Sequence, residues 1–167
     1  MSLNNIRFTK YLIADFYKKS LIESNHEESL ISLNKETVTW KFLGENRKNI
    51  LIIVNYPKVA YVPDAQLSFL TKLLTACELN LGDVALINFN TYPNLNFNDV
   101  VSFFKSKIVF LFGVGPETLG MPILFPHFQI QTFNNCTYLF THVLEEIETD
   151  KLLKSKFWIC LKNIFNL

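Results

Sequence analysis

The regular part of the hydrophobic pattern begins at residue 50. Ile50-Leu51-Ile52-Ile53-Val54 is a β-branched run suited to a strand buried on both faces, and Asn55-Tyr56-Pro57 ends it. Pro63-Asp64 then opens a helix in which Leu67, Leu70, Leu73, Leu74 and Cys77 share one broad stripe, before Gly82-Asp83 turns the chain. Val84 to Phe89 reads as the next strand. A short helix follows, with Val100, Val101, Phe103 and Phe104 as its apolar positions and Asn98 as its expected cap. Ile108 to Phe112 is a third apolar run, and Phe128 to Phe133 alternates like a fourth strand. Val38 to Leu43 reads as an edge strand, and Asp150 to Phe165 as a closing helix. Strand–helix–strand units at this spacing favour parallel pairing, which predicts an α/β fold with a three-layer helix/sheet/helix sandwich and a mainly parallel four-stranded sheet.

The earlier part of the chain has a different texture. Ile6, Ile13, Phe16, Tyr17 and Leu21 recur at roughly helical spacing among Arg7, Lys10, Lys18 and Lys19, so Ile6 to Ile22 reads as a basic amphipathic helix. Residues 23–35 carry Glu23, Glu27, Glu28 and several Ser and Asn, the composition of a linker. The expected organisation is a helix and linker over 1–35 and a single domain over 36–167.

Composition narrows the function classes. In 167 residues, 49% are apolar and 16 are Phe, while only 19% are charged, which argues against a disordered chain and for one core. The formal net charge of +1 supplies no global field for nucleic acid or an anionic membrane, so any such contact must come from a local patch. Cys77, Cys136 and Cys160 are odd in number and set in apolar runs, which suggests a reduced, cytoplasmic setting and no thiolate metal site. No run approaches the roughly 18 apolar residues of a membrane span, and Met1 to Lys10 lacks a signal peptide's apolar stretch.

Candidate chemistry is sparse. Gly113, Gly115 and Gly120 follow a strand, where phosphate-binding turns occur, but they match no phosphate fingerprint and Glu117 would repel an anion. A plain turn into a helix starting at Pro116 fits better. His26, His127 and His142 are far apart in sequence and lack partners at metal spacing. His127, between Pro126 and Phe128, reads as a packed histidine. His142 stands near the carboxyl end of the predicted sheet, where open α/β sheets place their sites. Glu145, Glu146, Glu148 and Asp150 suit a helix N-terminus. On the closing helix, Leu153, Phe157, Cys160 and Ile164 form the buried stripe, while Lys151, Lys154 and Lys162 gather on another side with Trp158 and Phe165. That basic and aromatic face suits a protein partner or a nucleic-acid backbone, or simply covers core under a lysine rim.

The strand Ile50 to Val54, the helix to Cys77, the strand Val84 to Phe89 and the run Ile108 to Gly113 ending in Phe-Gly resemble the uracil-DNA glycosylase-like fold. Within that group the segment from His142 to Trp158 is similar to the psi-subunit family of bacterial DNA polymerase III, on Leu144, Ile147, Asp150, Lys154, Phe157 and Trp158. The resemblance implies a sheet order of 2-1-3-4 and a non-enzymatic, cofactor-free connector in the bacterial cytoplasm. It also implies an N-terminal peptide, here Ile6 to Ile22, that binds the clamp loader, although its apolar positions equally suit packing on its own domain. The folded body would hold a chi-like subunit, and single-stranded DNA would be reached only indirectly, through single-strand binding protein. Partner-binding residues are then Ile6, Ile13, Phe16, Tyr17, Lys154, Trp158 and Lys162. The alternative is an atypical glycosylase-like repair enzyme. In that family a polar, glycine-rich motif follows the first strand and a histidine motif follows the last. Those places are taken here by Asn55-Tyr56-Pro57, without glycine or carboxylate, and by Thr141-His142-Val143, a set read as vestigial.

Overall fold

The computed structural model describes residues 40–92 and 95–167. The readings of Ile6 to Ile22, of the linker 23–35 and of His26 fall outside the described residues. Six strands and four α-helices follow in chain order. They are β1 (Leu43–Gly44), β2 (Ile50–Val54), α1 (Asp64–Ala76), β3 (Val84–Asn88), α2 (Phe97–Phe104), β4 (Ile108–Phe112), β5 (Ile130–Phe133), β6 (Cys136–Thr141), α3 (Leu144–Thr149) and α4 (Lys151–Phe165).

The α/β expectation holds, but the sheet is six-stranded and mixed, in the order β1-β3-β2-β4-β6-β5. Strands β3, β2, β4 and β6 pair in parallel, with Ile52 opposite Leu86 on one side and Phe110 on the other. The outer strands β1 and β5 are antiparallel to their neighbours. Every residue of β2 and β3 is buried, as expected of strands covered on both faces; their runs are apolar except for Asn88 at the end of β3.

Each face of the sheet has its own core. Ile50, Ile52, Val54, Leu86, Phe110, Phe112 and Leu139 meet Phe69, Leu70 and Leu74 of α1, Leu144 and Ile147 of α3, and Phe157, Cys160 and Leu161 of α4. On the opposite face Leu51, Ile53, Ile87, Val109, Leu111 and Tyr138 meet Phe97, Val100 and Phe104 of α2. Val114, Leu119, Met121 and Phe125, from the segment after β4, and Leu95, just before α2, add to the cover of that second face.

Several local expectations change. The run 128–133 supplies β5 as an antiparallel edge, and the fourth parallel strand is β6, reached through a tight turn at Asn134 and Asn135. Both asparagines have positive φ, 49° and 58°, and asparagine tolerates this left-handed region better than most residues. The cap of α2 is Asn96, whose side chain accepts from the amide of Asn98 at 2.9 Å, so the cap stands two residues earlier than expected. The segment after Gly113 runs through turns with no helix at Pro116. Gly113, at φ +66°, is needed because a Cβ there would collide with the Val143 side chain. Of the expected edge strand 38–43, only Leu43 pairs, together with Gly44; residues 38 and 39 lie outside the described residues.

The closing helical region is two helices. Asp150 ends α3 and caps α4, its Oδ1 accepting from the amides of Leu152 at 2.7 Å and Leu153 at 3.1 Å. In α4 the fully buried residues are Phe157, Cys160 and Leu161, with Leu153 and Ile164 half-buried at the borders of the stripe.

Candidate functional site

Two places gather the chemistry-bearing side chains. The first is the carboxyl edge of the sheet, where β2, β3 and β6 deliver their last residues. Asn88 closes β3 and is 1% exposed, so all its polar atoms need partners. Its Oδ1 accepts from the amides of Tyr56 at 2.9 Å and Asn90 at 3.2 Å, and its Nδ2 donates to the carbonyls of Tyr56 at 2.7 Å and Val59 at 2.8 Å. One side chain thus staples the loop that leaves β2. From that loop the Tyr56 hydroxyl donates to Glu145 Oε2 at 2.9 Å, which ties it to the first turn of α3. Burial, then the hydrogen bond to Glu145 and that carboxylate's charge, push the Tyr56 phenol far above its ordinary pKa. It is a neutral donor with no use as a base. Asn55 and Pro57 are exposed and join none of these bonds.

The histidines come together at the same edge. The turn that leads into β5 lays His127 against the end of β6, beside His142. Their rings stack at 4.3 Å and 18°, and the other face of His127 stacks on Phe140 at 4.1 Å. Phe128, at φ +61°, donates its amide to the Phe140 carbonyl at 2.9 Å and turns its ring toward His142 at 5.6 Å. Glu146 Oε2 stands 2.8 Å from His142 Nδ1, with the two side chains 57% and 33% exposed. His127 is therefore neither enclosed nor solitary; it is exposed and stacked. Partial desolvation of its stacked ring, then the neighbouring His142, lower its pKa, partly offset by Glu146 and Glu117.

The second place is the face shared by α1 and α4. Leu73 and Ala76 of α1 and Lys151, Lys154, Ser155 and Trp158 of α4 line an open groove of about 470 Å³. The groove exists because α4 places residues 151, 154, 155, 158, 162 and 165 on one stripe, adjacent to the one that packs on the sheet. Lysine ammoniums here meet rings: Lys154 Nζ is 5.3 Å from the Phe69 ring centroid and Lys162 Nζ 5.9 Å from that of Trp158. Beyond this stripe, Leu152 and Ile159 leave 62% and 55% of their surface in solvent. Beneath the groove a tight apolar void, lined by Leu70, Leu74, Phe110, Phe157 and Phe165 among others, belongs to the core and offers no polar group to a ligand.

The structure unites part of each group named from the sequence. Lys154, Trp158 and Lys162 share one surface with Lys151, joined by Leu73 and Ala76, which helical spacing alone does not assign to it. Tyr56 and His142 are linked through the adjacent Glu145 and Glu146. Asn88 was not singled out from the sequence; its signal, a polar residue ending an otherwise apolar strand, was present in Val84 to Asn88. Ile6, Ile13, Phe16 and Tyr17 lie outside the described residues. The three cysteines are buried free thiols, and burial raises the pKa of each. Among the described residues no cluster of three or more His, Cys, Asp or Glu could hold a metal ion, and no helix is long and apolar enough to cross a membrane. No family model and no curated protein matches this chain.

Proposed function

We propose that this chain is a non-catalytic protein-interaction subunit of the bacterial DNA replication machinery, of the psi type that links the clamp loader to a chi-like subunit and single-strand binding protein. The observation that carries the reading is the α1–α4 groove, where Trp158 and three lysines share a solvent-facing stripe beside exposed Leu152 and Ile159. Aromatic anchors such as Trp are enriched at protein interfaces, and charged side chains belong to their polar rim. The inner strands add support, since β3-β2-β4-β6 is second, first, third and fourth in chain order among the parallel strands, the 2-1-3-4 arrangement of the uracil-DNA glycosylase-like fold.

A pull-down from the cells that make the protein tests this. Recovery of clamp-loader subunits, lost on deleting residues 1–24, and of a chi-like subunit, lost in Trp158→Ala, is the expected result. Recovery of unrelated proteins alone would overturn it.

A second reading, an atypical glycosylase-like repair enzyme, rests on His142, which Glu146 fixes at the carboxyl edge of β6 with its Nε2 left for other partners. It requires release of a damaged base from an oligonucleotide and loss of that release in His142→Ala. No release across uracil and common lesions would retire it.

A further inference from the structure

We infer that the α1–α4 groove takes an acidic peptide segment anchored by a large apolar side chain, an inference that rests on the partner-docking reading and specifies the partner's chemistry. The floor of the groove is Leu73, Ala76 and the Trp158 ring, and Lys151 and Lys154 line it from α4. Lys162 extends the same stripe one turn beyond Trp158. Between Lys151 and Phe165 the chain has four lysines and no Asp or Glu. Of the carboxylates that precede this helix, Asp150 is committed to the amides of Leu152 and Leu153, Glu145 to Tyr56 and Glu146 to His142.

The groove therefore presents positive charge around an apolar floor in a molecule whose net charge is only +1. A segment with carboxylates on both sides of one Phe, Leu or Trp complements both features. Its apolar side chain would remove Leu73 and Trp158 from water, and its carboxylates would draw Lys151 and Lys154 across the mouth. A volume of about 470 Å³ holds a few side chains and falls within the roughly 300–1,000 Å³ usual for ligand sites. A basic segment would be repelled. A bare polyanion such as single-stranded DNA would satisfy the lysines but leave the apolar floor wet.

Fluorescence anisotropy on the full chain decides this with four labelled probes. They are a short Glu-rich peptide with a central Leu-Phe pair, the same peptide with Ala-Ala in place of that pair, its Lys-for-Glu counterpart, and an oligo-dT of similar charge. The first probe should bind at least about tenfold more tightly than the other three and weaken as salt rises from about 50 to about 300 mM. Lys151→Glu with Lys154→Glu should lower its affinity at least about tenfold, whereas Lys156→Glu, exposed on another side of α4, should leave it within about twofold. Unchanged thermal melting of both variants shows that the fold is intact. Equal binding of the oligo-dT or the lysine peptide, no binding of the first probe, or equal loss in Lys156→Glu would each overturn the inference. Capture of a chi-like subunit, measured separately, reports on the partner-docking reading itself. Capture without acidic-peptide binding overturns only the inference.

Discussion

The carboxyl edge of the sheet and the α1–α4 face both carry polar and aromatic groups, but they differ in what those groups touch. At the edge, Asn88 makes four hydrogen bonds, Tyr56 is tied to Glu145, His142 to Glu146, and His127 is stacked on both sides. The polar groups there satisfy one another, and their joint effect is to fix the loop after β2 and the first turn of α3 against the strand ends. On the α1–α4 face, Lys154 and Lys162 stand over aromatic rings, and Leu152 and Ile159 stand in solvent. Groups that close on themselves hold a fold together, whereas apolar and cationic groups left facing outward offer association energy to a second molecule. On the proposed reading the edge, where α/β enzymes commonly keep their chemistry, is structural and the helical face is the interacting surface.

The sharpest way to break the comparison is Asn88→Leu. If the edge is structural, the variant leaves the Tyr56 amide and the carbonyls of Tyr56 and Val59 without their partner, at a cost of about 2–4 kcal/mol in urea unfolding. A loss below about 0.5 kcal/mol would show that the staple is dispensable. Next in size, Trp158→Ala should weaken partner binding by about 2 kcal/mol, roughly 30-fold. Trp158 is only half-buried, so the fold should lose less than that. Equal losses in folding and binding would make Trp158 a core residue.

Tyr56→Phe removes one hydrogen bond, to Glu145, and should cost about 1 kcal/mol of stability while leaving partner capture unchanged. The smallest effect concerns His127. Its lowered pKa means that the unfolded chain binds the proton more readily than the folded one, so this group's share of stability is present above the unfolded value of about 6.5 and is lost as pH falls below it. NMR titration should place the His127 midpoint below that of an unfolded peptide. His142→Ala, by removing a neighbouring positive charge, should move it upward. A midpoint at or above the peptide value would contradict the stack.

The central strands were legible because β2, β3 and β4 are buried on both faces, which favours near-continuous apolar runs. The strand β6 was not, because Cys136-Thr-Tyr-Leu-Phe-Thr141 mixes polar and apolar positions and its entry depends on Asn134-Asn135, a turn signal weaker than Asn-Gly. The break between α3 and α4 was hidden for a related reason. Asp150 can end one helix and cap the next without a glycine or proline to announce it. The lysine and tryptophan stripe follows from helical periodicity, so Lys154, Trp158 and Lys162 could be grouped from sequence. Leu73 and Ala76 could not, since they come from a helix some 80 residues away in the chain and meet α4 only through packing on the sheet. The same holds for Tyr56 with Glu145 and His127 with His142, pairs made by strand order and by the turn that leads into β5.

Capture of clamp-loader and chi-like subunits should be measured side by side for the unaltered chain, Trp158→Ala with Lys154→Glu, and His142→Ala. The expected result is that His142→Ala retains the chi-like subunit as well as the unaltered chain does, while the groove variant loses it. Retention by the groove variant with loss in His142→Ala would contradict the account and return function to the edge of the sheet.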